Sequence, residues 1–423
     1  MRYTLPAIAA VLVVTATVAV GTPALSPATP PAPAARNTPD ATATSIATVG
    51  NTSNYLELPS GDTRSRFGNA SLDLGAAVAA DSARLQETLA IEAGVERFRS
   101  APNSSAKTAV LRAVTSDIEN RTAALRRYQR RTIRQFSDGR ISAEVVFRRF
   151  AVIDARARAI EDSAIRMQGI AQFTPQYTIP FDISNRLINA RERAGLFYTD
   201  QRENVRASLV GRREAKRYLV RAGGSGIVLA NVDSRRQSYT REAFVDDRWR
   251  RGGSDRFDGD IGAALDFVYD LYPWAAEDEN QRGPDADIDS MLESIYKVSI
   301  THRHGELLTY LDGSTAEIFM EVQDKRLPRL PIAGTVGETN ATADLTVRVN
   351  LTHPTGPMEV AVRDATTGAP VDARIRVDGQ FVGETGEDGR LWTIQPDERV
   401  RVEAVADGGR VAVTVVHDTG GGV

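Results

Sequence analysis

His302, His304 and Glu306 fall at alternate positions, and Asp312 follows six residues after Glu306. Alternate side chains of an extended strand share a face, so these three can converge on one metal ion with Asp312 as a further oxygen ligand. The same residues also suit a polar turn, because Gly305 interrupts the run. Asp285, Asp287 and Asp289 form a second cluster, after Asp278 and Glu279. An all-oxygen set suits calcium. The helix–loop–helix calcium pattern fails, however, since Ser290 stands at the glycine position and Tyr296 at that of the bidentate glutamate. An acidic loop capping a helix that starts at Met291 explains the run equally well. In a third cluster Arg126, Arg130 and Arg134 share one helical face, with Arg127 and Arg131 beside it. Such a stripe can bind phosphate, acidic glycan or lipid headgroups, and it is also what an ordinary solvated helix face looks like.

Several chemistries are excluded. The chain has no cysteine, so disulfides, thiol catalysis and cysteine-ligated zinc are absent. Ser104–Lys107 and Ser294–Lys297 match Ser-x-x-Lys, but the partner motifs of a serine acyltransferase do not follow. Gly223-Gly224-Ser225-Gly226 is not a nucleophile elbow, and no phosphate-cradling loop or dinucleotide fingerprint occurs. No catalytic residue is assigned and no cofactor is implied. A formal net charge of −3 over 423 residues gives no basis for nucleic acid as a partner.

The start of the chain carries an address. One arginine precedes an apolar run from Leu5 to Val20, and the small residues Thr22-Pro23-Ala24 follow. This is a secretory signal pattern over residues 1–24, with an uncleaved membrane anchor as the other reading. Residues 25–65 begin rich in Pro, Ala, Thr and Ser with hardly any charge, which predicts an extended stalk. Six Asn-x-Ser/Thr sequons, at Asn51, Asn69, Asn103, Asn120, Asn340 and Asn350, fit an exported glycoprotein. The expected location is extracellular or at the cell surface.

Three folded regions must position these side chains. Residues 66–175 read as a three-helix antiparallel bundle. Its first helix, about Leu74 to Arg99, turns Leu85, Leu89 and Phe98 inward. The second carries Leu111, Val114, Ile118, Leu125 and Tyr128, capped by Ser104 or Ser105. The third carries a seam of Val146, Phe150, Ile153, Ala157, Ile160, Ala164, Met167 and Ala171, with Ser142 at its start. Residues 176–332 read as an α+β domain with an antiparallel sheet and an internal duplication. In the repeat Tyr218 matches Tyr296, Gly226 matches Gly305, Leu229 matches Leu308, Asp233 matches Asp312 and Glu242 matches Glu321, given one inserted residue. Between the units, Ile261, Leu265, Val268 and Leu271 make a helical face that Pro273 ends. Residues 333–423 read as an all-β sandwich, from short alternating strands such as Leu345-x-Val347-x-Val349-x-Leu351 and turns such as Asp378-Gly379.

Two stretches resemble known modules. Tyr310–Ile318 resembles the second strand of a PepSY-type module, with Thr315-Ala316 where that pattern has Thr-Gly. Such modules bind or restrain peptidases, so the resemblance implies a peptidase partner. Thr367–Ile375 and Thr385–Arg390 resemble the strand entry and turn of a carboxypeptidase regulatory-like (transthyretin-like) sandwich, an accessory module. The order of signal, stalk, bundle, Leu271-Tyr272-Pro273-Trp274-Ala275, His304–Gly313 and sandwich resembles secreted cell-surface proteins of halophilic archaea. Lysine at only Lys107, Lys216, Lys297 and Lys325 fits that source. The expected function is a non-enzymatic surface protein that displays binding or structural modules, with a cell-envelope component as its partner. The alternatives are a secreted regulator or inhibitor of a peptidase and a metal-dependent hydrolase centred on His302 and His304. Membrane attachment is expected only through an uncleaved N-terminal segment.

Overall fold

The computed structural model describes residues 46–416 apart from 60, 251, 293, 332–336, 343 and 408. The signal segment, the first part of the stalk and His417 lie outside the described residues. From residue 46 the expected stalk is corrected to folded chain. A small hairpin of β1 (Ile46–Ala47) and β2 (Tyr55–Leu56) is followed by an eight-residue strand, β3 (Thr63–Ala70). Thr52 to Leu56 are buried, because they lie across the central sheet and bond to it.

The helical layer has α1 (Leu74–Ser100), α2 (Ser104–Ser137) and α3 (Ala143–Gln172), then α4 (Phe181–Gly195) and α5 (Asp200–Leu209), so it continues past residue 175. All eight seam residues of α3 are buried, as are Leu111, Val114, Ile118 and Leu125 of α2. Asn103, not a serine, caps α2 by accepting from the Ala106 amide at 2.9 Å. In α1, Phe98 is buried but Leu85 and Leu89 are 52% and 68% exposed, which reverses the expected inward face.

The central sheet is antiparallel with eight strands in the order β3-β4-β5-β6-β10-β9-β8-β7. Its further members are β4 (Lys216–Gly223), β5 (Gly226–Asp233), β6 (Ser238–Val245), β7 (Gln281–Leu292), β8 (Ile295–His302), β9 (Gly305–Asp312) and β10 (Glu317–Arg326). Two hairpin meanders, β4-β5-β6 and β8-β9-β10, meet through β6 and β10. Val220 pairs with Leu229 as Ser299 pairs with Leu308, and Gly223 with Gly226 as His302 with Gly305. The following turns place Gln237 (φ 50°) and Ala316 (φ 57°) at matching positions. The glycine, leucine and aspartate correspondences of the repeat therefore hold. The other two do not. Tyr296 falls one position out of step with Tyr218. A bulge between Ile318 and Met320 turns Glu321 to the face opposite Glu242.

One sheet face, with Tyr218, Val220, Ile227, Leu229 and Phe244, closes against α2 and α3. The other, with Leu219, Val228, Tyr239, Val298 and Leu307, packs under α6 (Ile261–Leu271) and α7 (Pro273–Ala276). Tyr272 and Ala275 anchor that corner.

The sandwich has two four-stranded sheets, β11-β12-β13-β16 and β15-β14-β17-β18. The strands are β11 (Gly337–Ala341), β12 (Leu345–Asn350), β13 (Pro357–Asp364), β14 (Arg374–Val377), β15 (Gln380–Glu384), β16 (Arg390–Ile394), β17 (Arg399–Ala406) and β18 (Gly409–Val416). The alternating Val, Leu and Ile residues fill the space between them. Asp378 (φ 48°) and Gly379 (φ 77°) both take the left-handed conformation that a two-residue hairpin turn requires.

Candidate functional site

The four proposed metal ligands do not converge, and no metal-binding group of His, Asp or Glu occurs among the described residues. His302 ends β8 and His304 is the second residue of the two-residue turn to β9; both point under α7, where both are buried. Their ring centroids are 6.2 Å apart, and Trp274 lies 5.8 Å from His302 and 4.7 Å from His304. Glu306 is exposed and accepts from Ser299 Oγ at 2.9 Å. Asp312 sits at the far end of β9, where it accepts from the amides of Arg250 (2.7 Å) and Ser314 (2.9 Å). The turn reverses the chain between the histidines and Glu306, so alternation along one strand never applies. Gly305 permits the turn's close packing, because any Cβ there would lie 1.8 Å from the Asp324 carbonyl oxygen.

The histidines border a buried charge that the sequence reading passed over. Lys325 is 1% exposed, and its Nζ has no hydrogen-bond partner among the described residues. Burial pulls its pKa down to about 7, with Glu321 opposing and Arg241 adding to the shift. Burial, helped by the charge of Lys325, brings His302 to about 3 and His304 to about 4. Beside this amine, Glu321 accepts from Arg241 Nη1 (2.7 Å), Tyr272 Oη (2.8 Å), the Leu56 amide (2.6 Å) and Gln323 Nε2 (3.0 Å). The carboxylate is fully occupied in joining the sheet to the N-terminal hairpin and α6. It offers no free base.

The arginine stripe is partly drawn into packing. Arg126 donates to Asp246 Oδ1 at 2.7 Å and to the carbonyls of Asp246 and Trp249, and its guanidinium lies 4.4 Å from the centroid of the Trp249 ring. Arg130 Nε is 3.1 Å from Asp246 Oδ2. Asp246 is 1% exposed, so two members of the stripe clamp α2 to the end of β6; Arg130 and Arg134 are exposed, and Arg134 alone of the three has no ion pair among the described residues. The acidic run is corrected as well. Asp285, Asp287 and Asp289 lie on β7, an edge strand, and no helix starts at Met291. Asp287 and Asp289 are exposed, opposite Ser299 and Lys297. Charges there keep another strand from adding to the edge. Of the sequons, Asn69, Asn103 and Asn120 are exposed and Asn51 is half-buried; the Asn340 side chain lies outside the description. Asn350 is only 7% exposed and donates to Glu359 at 2.9 Å, which withdraws it as a glycan acceptor in the folded chain.

Uncompensated charge gathers elsewhere. The loop between α5 and β4 carries Arg212 and Arg213, and the turn between β5 and β6 carries Arg235 and Arg236. The β4–β5 pairing brings the two loops to one rim, around a cleft of about 490 Å³ floored by Lys216, Arg217, Val232 and Asp233. Six cationic side chains there face two carboxylates. Lys216 pairs with Asp233 and Arg235 with Glu214, each at 2.6 Å. Arg212, Arg213 and Arg236 have no ion pair among the described residues. Like charges crowded into one concavity repel, and a bound oxyanion offsets that cost. An adjoining groove of about 430 Å³ shares Arg213 and Arg236 but is otherwise acidic, with Asp200, Glu203, Glu306 and Asp324. The signal available in the sequence was the pair of Arg-Arg doublets, each in a turn flanking the β4–β5 hairpin.

Three family models match the chain. The Domain of unknown function (DUF7096) covers residues 1–214, just over half of it. The Family of unknown function (DUF7094) covers 218–331, the two meanders and the helices between them. The Archaeal fibronectin-III type-like domain covers 337–413, the sandwich. No curated protein and no solved structure matches the chain.

Proposed function

Because the chain belongs to the DUF7096 family and joins that domain to a fibronectin-III type-like sandwich, we propose that it is a non-catalytic cell-surface protein displaying binding and structural modules, and that its basic cleft holds an anionic partner at the envelope. The observation that carries this reading is the distribution of charge. Buried ion pairs of the core join its layers, as in Glu321 with Arg241 and Asp246 with Arg126. Three arginines with no ion pair among the described residues, Arg212, Arg213 and Arg236, collect in one open cleft. The apolar run Leu5–Val20 and the Pro/Thr/Ala segment after it support export, and the exposed sequons support glycosylation. The ligand class is a polyanion bearing sulfate, phosphate or carboxylate groups, which arginine holds by paired hydrogen bonds.

Fluorescent dextran sulfate, with neutral dextran as control, tests both halves. Intact cells carrying the chain should capture dextran sulfate above the level of cells lacking it, and cells with Arg213→Glu/Arg236→Glu should not. Capture that appears only after lysis removes the surface location. Capture unchanged by the double charge reversal removes the cleft.

A further inference from the structure

The first half of α1 is inverted. Toward the bundle its first three turns bury only small residues, Ala76, Ala80 and Ala83, before Glu87 pairs with Arg121. Away from it, Leu74, Val78, Leu85 and Leu89 are 72%, 66%, 52% and 68% exposed, and Leu72 just before the helix is 63% exposed. At roughly 100° per residue these four fall within about 60° of arc, a single stripe about 22 Å long. With Leu72 the stripe shows on the order of 500 Å² of apolar surface, well beyond the scattered single aliphatics of ordinary surfaces.

The stripe reads the same in both directions. Leu74 and Leu89 are equidistant from the midpoint between Asp81 and Ser82, and so are Val78 and Leu85. A patch with that spacing is complementary to itself across a two-fold axis. We infer that α1 is a dimerisation surface on which two copies of this chain pack antiparallel. Leu74 meets the partner subunit's Leu89, and Val78 meets the partner subunit's Leu85. The flanking charges select this direction. Asp81 and Arg84 lie on one side of the stripe and are both exposed. In the antiparallel pair Asp81 comes beside the partner subunit's Arg84, twice by symmetry. A parallel pair would set these charges beside the partner's Ser82 and Gln86 instead. The two stripes together reach about 1,000 Å², the lower bound for a specific interface.

A cysteine-free chain makes the test direct. The full chain should sediment as a dimer. Ser82→Cys should cross-link to a dimer with a short bis-maleimide, because the two thiols flank the axis. Ser100→Cys, exposed on the same helical face five turns away, should not, since its counterpart would lie about 55 Å off. Leu85→Glu/Leu89→Glu should sediment as a monomer with unchanged far-UV circular dichroism. A monomeric parent overturns the inference. So does cross-linking of Ser100→Cys as fast as Ser82→Cys, which would mean a parallel pair. A dimer that survives the double glutamate substitution places the interface elsewhere and also overturns it.

Discussion

Replacing Lys325 with methionine should stabilise the protein, and only over a defined range of pH. Lys325 is 1% exposed, and its amine has no hydrogen-bond partner among the described residues. Its pKa falls from 10.5 to about 7, mainly through burial. The folded value lies below the unfolded one. Between pH 10.5 and 7 the unfolded chain therefore takes up a proton that the folded chain does not, and stability falls as pH falls through this window. Below about pH 7 both states are charged and this contribution levels off. At 1.36 kcal/mol per unit, the shift amounts to on the order of 5 kcal/mol at pH 7. Methionine fills nearly the same unbranched volume without a charge. Urea unfolding of Lys325→Met at pH 7 should thus show a gain of about 3–5 kcal/mol, given some imperfect repacking. Above pH 10.5 the two proteins should converge. His302 and His304 titrate in a separate, lower window. Their lowered values, about 3 and about 4, make stability rise with pH up to the ordinary histidine range near 6.5; because burial is the larger cause, the same direction holds in the variant, with a smaller rise once the Lys325 charge is gone. Parallel stability curves for parent and variant from pH 7 to 10.5, or a variant less stable at pH 7, would refute the reasoning.

Two further outcomes follow from the packing. Asp246→Ala leaves Arg126 and Arg130 facing a carboxylate that is gone, and should cost about 2–4 kcal/mol in chemical denaturation, whereas Arg134→Glu on the same helix should cost less than about 0.5 kcal/mol. Ile160→Asp puts a charge into a fully buried seam position of α3, and should lower the unfolding free energy by about 4 kcal/mol or more, detected as loss of the cooperative thermal transition.

What the sequence revealed depended on whether an element's neighbours were implied by its own pattern. The α3 seam is legible because every fourth or third residue is apolar and a partner exists for that face. The sandwich strands are legible because Val347, Val349, Val360 and Val362 alternate with polar residues between glycine turns. The pattern of α1 is just as periodic, yet periodicity names a stripe without saying which way it faces. In the fold the alanines turn inward and the leucines outward. The edge strands were missed for a related reason. An edge carries charge to prevent further pairing, so Asp287 and Asp289 read as a loop. The clamp of Arg126 and Arg130 on Asp246 was not legible because that acceptor stands 120 residues from Arg126. The cleft was missed because neither arginine doublet is unusual alone; they meet only through the register of β4 and β5.

The three matched segments break the sequence at 214–218 and 331–337, but the physical units do not break there. β3, from the first segment, is the edge strand of the second segment's sheet and pairs with β4 over its whole length. Arg241 makes the point most sharply. One buried guanidinium donates to the Leu56 carbonyl of the first segment at 2.7 Å, to Glu321 of the second at 2.7 Å and to Thr355 Oγ1 of the third at 3.0 Å. Tyr239 adds a hydrogen bond to the Thr355 carbonyl at 2.7 Å. A planar cation with fixed donor directions accepts such partners only when all three segments are seated. Each segment therefore supplies part of the neutralisation and solvation that the others' buried groups require. That coupling keeps the basic cleft and the outward face of α1 on one framework rather than on separately tethered beads.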